Sequence, residues 1–337
     1  MQTRLHLALF ASQLLSTLQG QVPPVARVVP YPIDLPPGVE AAIAKGTRTA
    51  NGRPGPHYWS NFAHYTIVAE LDPKAARLQG TATATYHNRA PEPLTQLVLH
   101  LRQNLMKPDA QRTRPIVPTN GFELGTVTLD GEEVRPRVRD TRLYLRLPKP
   151  LASGEKATVA ITYAFDVPVA GTAPRMGHEK DDVFYLGYWY PQFAVYDDVE
   201  GWVADRYRGN GEFYMDYADY DVAITAPVGY LVRATGELRN PDEVLTGKAR
   251  AALATVPGTR DIVHVVDKDD LAAGAATATS ESGKLIWKFR AENVRDCAVS
   301  LGRTYVWDAT YAVIKDKNGP GKDGTAMIHA VYETNAG

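Results

Sequence analysis

Apolar and polar residues alternate with a period of two through most of the chain. The segments 65–71 and 78–86 show the alternation most clearly. Successive side chains of a β-strand point to opposite faces of a sheet, so this pattern predicts strands that are buried on one face. Further strands are predicted at 94–101, 125–138, 142–147 and 156–165, and later in DYDVAITAP, GYLVRATGEL, DIVHVVD, KLIWKFRAEN, CAVSL and AMIHAVY.

Short strands separated by turn residues are typical of antiparallel sheets. The dipeptide Asp130-Gly131 is a hairpin signal of this kind. One helix is predicted near 246–255, with Thr246 as its N-cap before a run of helix-forming residues. The segment 271–283, rich in Ala, Thr and Ser, predicts a surface loop. The sequence therefore predicts an all-β fold, a large antiparallel β-sandwich of two stacked sheets with one short helix.

The first 57 residues differ in composition from the rest. Residues 1–20 carry a positive charge at Arg4, then an apolar run and a small residue, Gly20, which together predict a signal peptide. Residues 21–57 are rich in Pro and Gly and predict an extended arm. We expect residues 58–337 to form one β domain. The protein is accordingly expected to be secreted or periplasmic.

The composition narrows the function classes. The chain has 337 residues, 44% of them hydrophobic, and a net charge of −1. This balance argues against a nucleic-acid partner, which usually selects a strongly basic surface. After the N-terminal run no segment approaches the roughly 20 apolar residues of a membrane span. The single cysteine, Cys297, excludes an internal disulfide, and we expect it to be an inert core thiol.

The run 184–221 is dense in aromatic rings, carboxylates and glycines. Tyr and Trp combine a large apolar ring with a polar tip. They suit a wall that packs against the core on one side and meets water on the other. The run therefore predicts the lining of a ligand-binding cleft.

Motifs of catalysis and metal binding do not occur. None of the eight histidines has metal-ligand spacing; the nearest approach to HExxH is the segment 178–182, predicted to be a solvated charged turn. There is no nucleophile elbow and no P-loop. The carboxylates of the aromatic run match no calcium loop and are interpreted as sheet-surface charge: Asp197, Asp198, Glu200, Asp205, Asp216, Asp219 and Asp221. No catalytic and no metal-binding residue is predicted.

Several strings resemble the aminopeptidase N family of gluzincin zinc metallopeptidases, in particular its secreted bacterial branch. HYTIVAELDPKAARLQGTATATYHN and LVLHLRQNL are similar to the opening strands of that family's N-terminal domain. GYWYPQFAVYDDVEGW, GEFYMDYADYDVAITAPVGYLVRATGEL and WKFRAENVRDCAVSLGRTYVWDAT are similar to later blocks of the same domain. Together they cover roughly residues 58–310.

The resemblance implies a saddle-like β domain that binds substrate. In the family a zinc-containing catalytic domain follows, with HExxH and a distal Glu, and neither motif is present here. The chain is thus expected to be an N-terminal fragment or a detached homologue, inactive alone, with no cofactor of its own and zinc in the absent domain. Its expected partners are that catalytic domain and the N-terminal end of a peptide.

The resemblance also implies site residues. Gln192 matches a family Gln that holds the amino end of the substrate, although an ordinary loop role stays open for it. Tyr190 and Tyr196 flank Gln192 and are expected to shape the pocket, whereas Trp189 and Trp202 are expected to pack in the core.

Two other functions are compatible with the residues. The chain could be a free-standing secreted β-sandwich module that binds peptide or carbohydrate through the aromatic cleft. It could also be a structural or interaction domain without a small ligand.

Overall fold

The computed structural model describes residues 34–180, 182–315 and 324–334. In chain order its strands are β1 (Phe62–Asp72), β2 (Arg77–His87), β3 (Leu94–His100), β4 (Glu123–Leu129), β5 (Glu132–Glu133), β6 (Arg137–Arg139), β7 (Arg142–Leu151), β8 (Lys156–Asp166), β9 (Met176–Glu179), β10 (Val183–Leu186), β11 (Gln192–Phe193), β12 (Val195–Asp197), β13 (Gly201–Val203), β14 (Ala218–Pro227), β15 (Leu231–Ala234), β16 (Glu237–Leu238), β17 (Val263–Val266), β18 (Lys284–Val294), β19 (Val299–Gly302), β20 (Tyr305–Ile314) and β21 (Gly324–Glu333). The α-helices are α1 (Pro37–Ala44), α2 (Pro241–Val244), α3 (Gly247–Thr255) and α4 (Lys268–Ala272). The predicted all-β fold is confirmed.

The largest sheet has eight strands in the order β16-β18-β14-β1-β2-β8-β4-β5. Alternate residues of β1 are buried, as the period of two predicted. The pairing of β1 with β14 is parallel, from Ala63 opposite Ala218 to Glu70 opposite Thr225. The expectation of purely antiparallel pairing is therefore wrong at this position. Turn residues predict only the pairing of strands that follow each other in the sequence. Strands β1 and β14 are far apart in the sequence, so no turn signal predicts how they pair.

Two four-stranded sheets, β15-β19-β10-β9 and β11-β3-β7-β6, contribute to the same hydrophobic core as the large sheet. The contact is visible where Tyr65 of β1 meets Phe193 of β11, with ring centroids 6.0 Å apart. Tyr86 of β2 lies 4.8 Å from the same ring. The smaller sheets β12-β13 and β17-β20-β21 complete the fold.

The predicted turn at Asp130-Gly131 joins β4 to β5. Both residues have positive φ, 50° and 90°. This is the geometry of a two-residue hairpin turn, whose twist matches that of the flanking strands. The hairpin prediction is confirmed.

The predicted helix near 246–255 is α3, and the Thr246 side chain accepts a hydrogen bond from the Ala249 amide at 3.2 Å. The expectation of a single helix is too low, because α1, α2 and α4 also form. Helix α4 begins at a capping box on Asp267. It takes up the first residues of the predicted loop 271–283, and Thr277 within that loop is buried.

Helix α1 lies inside the segment predicted to be an extended arm, so that prediction is wrong for residues 37–44. Ala42 of this helix is fully buried. The following turn is tied to the β12–β13 connection, because Thr47 donates to Asp198 at 2.7 Å and Arg48 pairs with the same carboxylate at 2.9 Å. The folded part of the chain thus begins well before residue 58. The predicted signal peptide and the arm residues 21–33 lie outside the described residues.

No helix in the described parts of the chain has the length and apolar character needed to cross a membrane.

Candidate functional site

The rings in the first part of the aromatic run belong to the core. Phe184 and Trp189 are fully buried, and Tyr188 and Tyr190 are 3% exposed. The Trp189 indole donates to the Cys297 carbonyl at 2.8 Å, which ties the ring to the chain just before β19. The first part of the run is therefore a packing element, and the prediction of a solvent-facing wall fits only its middle, residues 196–217, which are half-buried or exposed.

Gln192 of β11 lies at the centre of a buried polar cluster and is 4% exposed. The Arg102 guanidinium donates to its Oε1. Its Nε2 lies 3.2 Å from the Tyr190 hydroxyl and 3.5 Å from Oδ1 of Asp296. Nε2 is also 3.2 Å from Sδ of Met215, a half-buried residue. Gln192 is thus hydrogen-bonded at both ends of its amide and contacts a half-buried methionine.

Asp296 is the acidic member of this cluster. Its Oδ1 accepts hydrogen bonds from the Tyr190 hydroxyl at 2.7 Å and from the Cys297 amide at 2.8 Å. Burial raises the pKa of Asp296, and the hydrogen bond from Tyr190 partly offsets this effect. The donors hold the carboxylate in one orientation. Sequence reasoning missed Asp296, because a single Asp between Arg295 and Cys297 gives no local signal.

Arg102 supplies the positive charge of the cluster. It lies in a 3-10 helix after β3 and is 5% exposed. Its guanidinium stacks over the Phe213 ring at 4.1 Å. Burial lowers the pKa of Arg102, and the charge of Asp296 acts in the opposite direction. The cluster therefore runs from a cation through Gln192 and Tyr190 to an anion.

Asp296 also lines an open cleft of about 610 Å³, which we call the Asp296 cleft. Its walls come from β10, β15, β19 and β21 and from the irregular chain before β14. The lining that bears on its chemistry is Arg175, Phe213, Met215, Arg233, Asp296 and His329. The cleft connects the Gln192 cluster to solvent.

Tyr196 does not join Gln192 and Tyr190. It is half-buried on β12, stacks with Trp59 at 5.8 Å, and lines a second cleft of about 600 Å³. The structure thus brings together two of the three predicted residues, Gln192 and Tyr190, and places the third elsewhere. Alternate residues share one face only within a continuous strand. Here β11 ends at Phe193, and Tyr196 belongs to β12, which pairs with β13. Trp202 of β13 is half-buried and packs against Tyr196.

Asp216 is a second residue that sequence reasoning misplaced. Its Oδ2 is buried and has no hydrogen-bond partner among the described residues. It lines a small cavity of about 20 Å³ beside Gln192 and Tyr86. Burial, followed by the charge of Asp197, raises the pKa of Asp216 to about 7. The interpretation of these acids as sheet-surface charge is wrong for Asp216, and also for Asp198, whose side chain is 3% exposed.

Within the described ranges, no group of three or more His, Cys, Asp or Glu side chains is placed to hold a metal ion. His178, expected in a solvated turn, belongs to β9 and stacks on Phe184 at 5.5 Å. Cys297 is fully buried, and burial raises the pKa of its thiol, in agreement with the expected core role.

No family model matches the chain, and no curated protein matches it in sequence. Solved structures similar to it are M1 zinc metallopeptidases. A mutant of the enzyme from Deinococcus radiodurans has 16% identity and a TM-score of 0.46, over 84% of this chain and 50% of that chain. The mutant bound to a Tyr-Ser-Ala substrate has 15% identity and a TM-score of 0.45, with the same coverage. A two-domain mutant bound to L-arginine has 15% identity and a TM-score of 0.43, again with this coverage. The chain spans about half the length of these proteins.

Proposed function

We propose that this chain is the substrate-binding β domain of an exported zinc aminopeptidase-type metallopeptidase, and that it holds the amino end of a peptide in the Asp296 cleft. The observation that carries the proposal is the hydrogen-bonded cluster of Gln192, Tyr190 and Asp296, whose acidic member lines the cleft. The resemblance of the sequence strings to the aminopeptidase N family supports the same role for Gln192.

The chemistry of the cluster suits an ammonium group. A cation near Asp296 would relieve the cost of holding a carboxylate in a poorly solvated place, because opposite charges attract more strongly away from water. Gln192 and Tyr190 orient that carboxylate through Nε2 and the hydroxyl group. The contribution of Gln192 is therefore indirect in the described arrangement.

Hydrolysis is assigned in this proposal to a separate catalytic domain. A zinc ion supplies a Lewis acid and an activated water in such enzymes. The described residues do not offer a zinc site. The role of this chain is to fix the substrate end against the cleft wall.

Binding of a free peptide end tests the proposal. Trialanine and N-acetyl-trialanine are titrated by calorimetry into the purified chain. We expect trialanine to bind and the acetylated peptide to bind at least about tenfold more weakly, since one charge-assisted hydrogen bond is worth that much. Asp296→Asn should remove the preference for the free amine. Asp242→Asn, at an exposed carboxylate with 83% accessibility, is the matched control.

Equal affinity for the two peptides would contradict the proposal, and so would an Asp296→Asn variant that retains the preference. The peptide comparison needs only the native chain, so it decides the question even if the variant is unstable. Export is tested separately by sequencing the N-terminus of the protein recovered from the periplasm or medium of a bacterial host. The expected mature product starts near Gln21.

A second candidate function is favoured by one observation. Trp59 and Tyr196 stack at the wall of the second cleft, which also contains Asp197 and Asp198. Aromatic faces beside carboxylates suit the apolar faces and hydroxyl groups of a sugar, as expected for a free-standing carbohydrate-binding module. Fluorescence titration of Trp59→Ala against the native chain with cello-oligosaccharides tests this function. Identical curves for the two proteins would exclude it.

A further inference from the structure

Arg233 occupies an unusual position in the Asp296 cleft. It lies on β15, an edge strand of the sheet β15-β19-β10-β9, and is 8% exposed. The side chain nevertheless contributes to the lining of the cleft. A buried guanidinium is normally paired with a carboxylate or fully hydrogen-bonded, since an uncompensated buried charge is costly.

Among the described residues, the Arg233 guanidinium has no such partner. Its Nε is buried without a hydrogen-bond acceptor, and no carboxylate of the described residues acts on its pKa. It is held between rings instead, 4.8 Å from Trp307 and 5.5 Å from Phe289. Burial lowers the pKa of Arg233 to about 10, so the group is still charged at neutral pH. Arg102, by contrast, donates to Gln192.

Arg233 is the group that offers a ligand a positive charge, because the other ionisable groups considered in the cleft are paired, negative or neutral. Arg175 is 59% exposed and is already paired with Glu212 at 3.4 Å. Asp296 carries a negative charge, which repels a dianion more strongly than a monoanion. Burial and the charge of Arg233 lower the pKa of His329 to about 4, so this ring is neutral at pH 7. The cleft therefore favours a ligand with a single negative charge.

His329 supplies a second donor beside Arg233. Its Nδ1 accepts the indole proton of Trp307 at 3.2 Å. In a neutral imidazole the ring proton then lies on Nε2. A guanidinium and a neutral N–H donor match the two oxygens of a carboxylate. The rest of the lining includes the apolar side chains of Phe213 and Met327, which suit the apolar body of such an acid.

We propose that Arg233 and His329 form a carboxylate-binding subsite in the Asp296 cleft, and that its ligand is a monocarboxylate with an apolar or aromatic body. The subsite does not depend on recognition of a peptide amino end at Asp296. Both sites lie in one cleft, but they bind groups of opposite charge.

The test uses N-acetylphenylalanine, whose amine is blocked, titrated into the full chain by calorimetry. N-acetylphenylalaninamide is the neutral control of the same shape, and inorganic phosphate is the control anion. We expect the acid to bind at least about tenfold more tightly than the amide, because the charge-assisted bonds to the guanidinium are lost with the carboxylate. Phosphate should bind more weakly than the acid.

Arg233→Gln should remove the preference for the acid over the amide, and Arg233→Lys should reduce it, since lysine keeps the charge but loses the planar fork. Arg239→Gln, at an exposed arginine paired with Glu237, should leave it unchanged. The proposal is overturned by equal binding of acid and amide, by binding of phosphate as tight as that of the acid, or by an unchanged preference in folded Arg233→Gln. If that variant does not fold, the ligand comparison and Arg233→Lys decide.

Discussion

Replacing Asp216 by asparagine should stabilise the protein strongly in mild alkali and much less in acid. The Asp216 carboxyl is half-buried, and its Oδ2 lacks a hydrogen-bond partner among the described residues. Burial raises its pKa from 3.8 to about 7, Asp197 adds to the shift, and Arg295 opposes it. Asparagine has the shape of the protonated acid and cannot ionise.

The direction of the pH dependence of stability follows from proton binding in the native and unfolded states. Between pH 3.8 and about 7 the native state keeps the Asp216 proton while the unfolded chain has released it. Stability therefore falls as the pH rises through this window, by about 1.4 kcal/mol per pH unit. Once the pH exceeds 7, the difference between the two pKa values lowers the free energy of unfolding by about 4 kcal/mol. At pH 5 only about 1–2 kcal/mol of this cost is present.

The assay is urea unfolding of the native chain and of Asp216→Asn at pH 5 and pH 8. Other titrating groups occur in both proteins, so their contributions cancel in the difference. We expect the advantage of the variant to be about 2 kcal/mol larger at pH 8 than at pH 5. Asp242→Asn, at a carboxylate that is 83% exposed, should show a difference below about 1 kcal/mol at both values. An Asp216→Asn variant whose advantage is constant, or shrinks toward pH 8, would refute the reasoning.

Three further changes probe the local structure. Thr246→Ala removes the hydrogen bond to the Ala249 amide at the start of α3 and should cost about 1 kcal/mol in urea unfolding, whereas an unchanged midpoint would show that this cap is dispensable. Asp198→Ala removes the acceptor for Thr47 and Arg48; we expect limited trypsin digestion to release the segment before residue 58 faster than in the native chain, and equal rates would contradict the tether. Gly131→Ala places a side chain at a φ of 90° with open space around it, so the cost of about 1 kcal/mol is purely conformational, and a stability equal to the native value would argue against the hairpin turn.

Features specified by neighbouring residues were predicted well. The turn at Asp130-Gly131 needs two residues that tolerate positive φ, and the start of α3 needs only Thr246 and the amides that follow it. Alternation over β1 was equally reliable, because one face of that strand is buried along its whole length. In each case the deciding interaction lies within a few residues of the signal.

Features that depend on distant parts of the chain were predicted poorly. The parallel pairing of β1 with β14 has no counterpart in local sequence. Helix α1 was overlooked because its Pro-rich surroundings favour extended chain, whereas burial of Ala42 and the link to Asp198 favour its packed position. Likewise, Asp216 was assigned to the surface because acidic residues are rarely buried without a partner.

The candidate sites show the same difference between local and distant interactions. This difference explains why the charged groups of the Asp296 cleft were not predicted. Gln192 was predicted as a site residue from its neighbours in the string WYPQF, which are close in sequence. Asp296 and Arg233 reach the cleft from the chain before β19 and from β15, and neither has a distinctive sequence context. A buried charge without a compensating partner is visible only once the fold has removed its water. Among the described residues, the unpaired Arg233 guanidinium and the buried Oδ2 of Asp216 are therefore stronger indications of function than the density of aromatic rings, because packing against the core explains rings and does not explain charges.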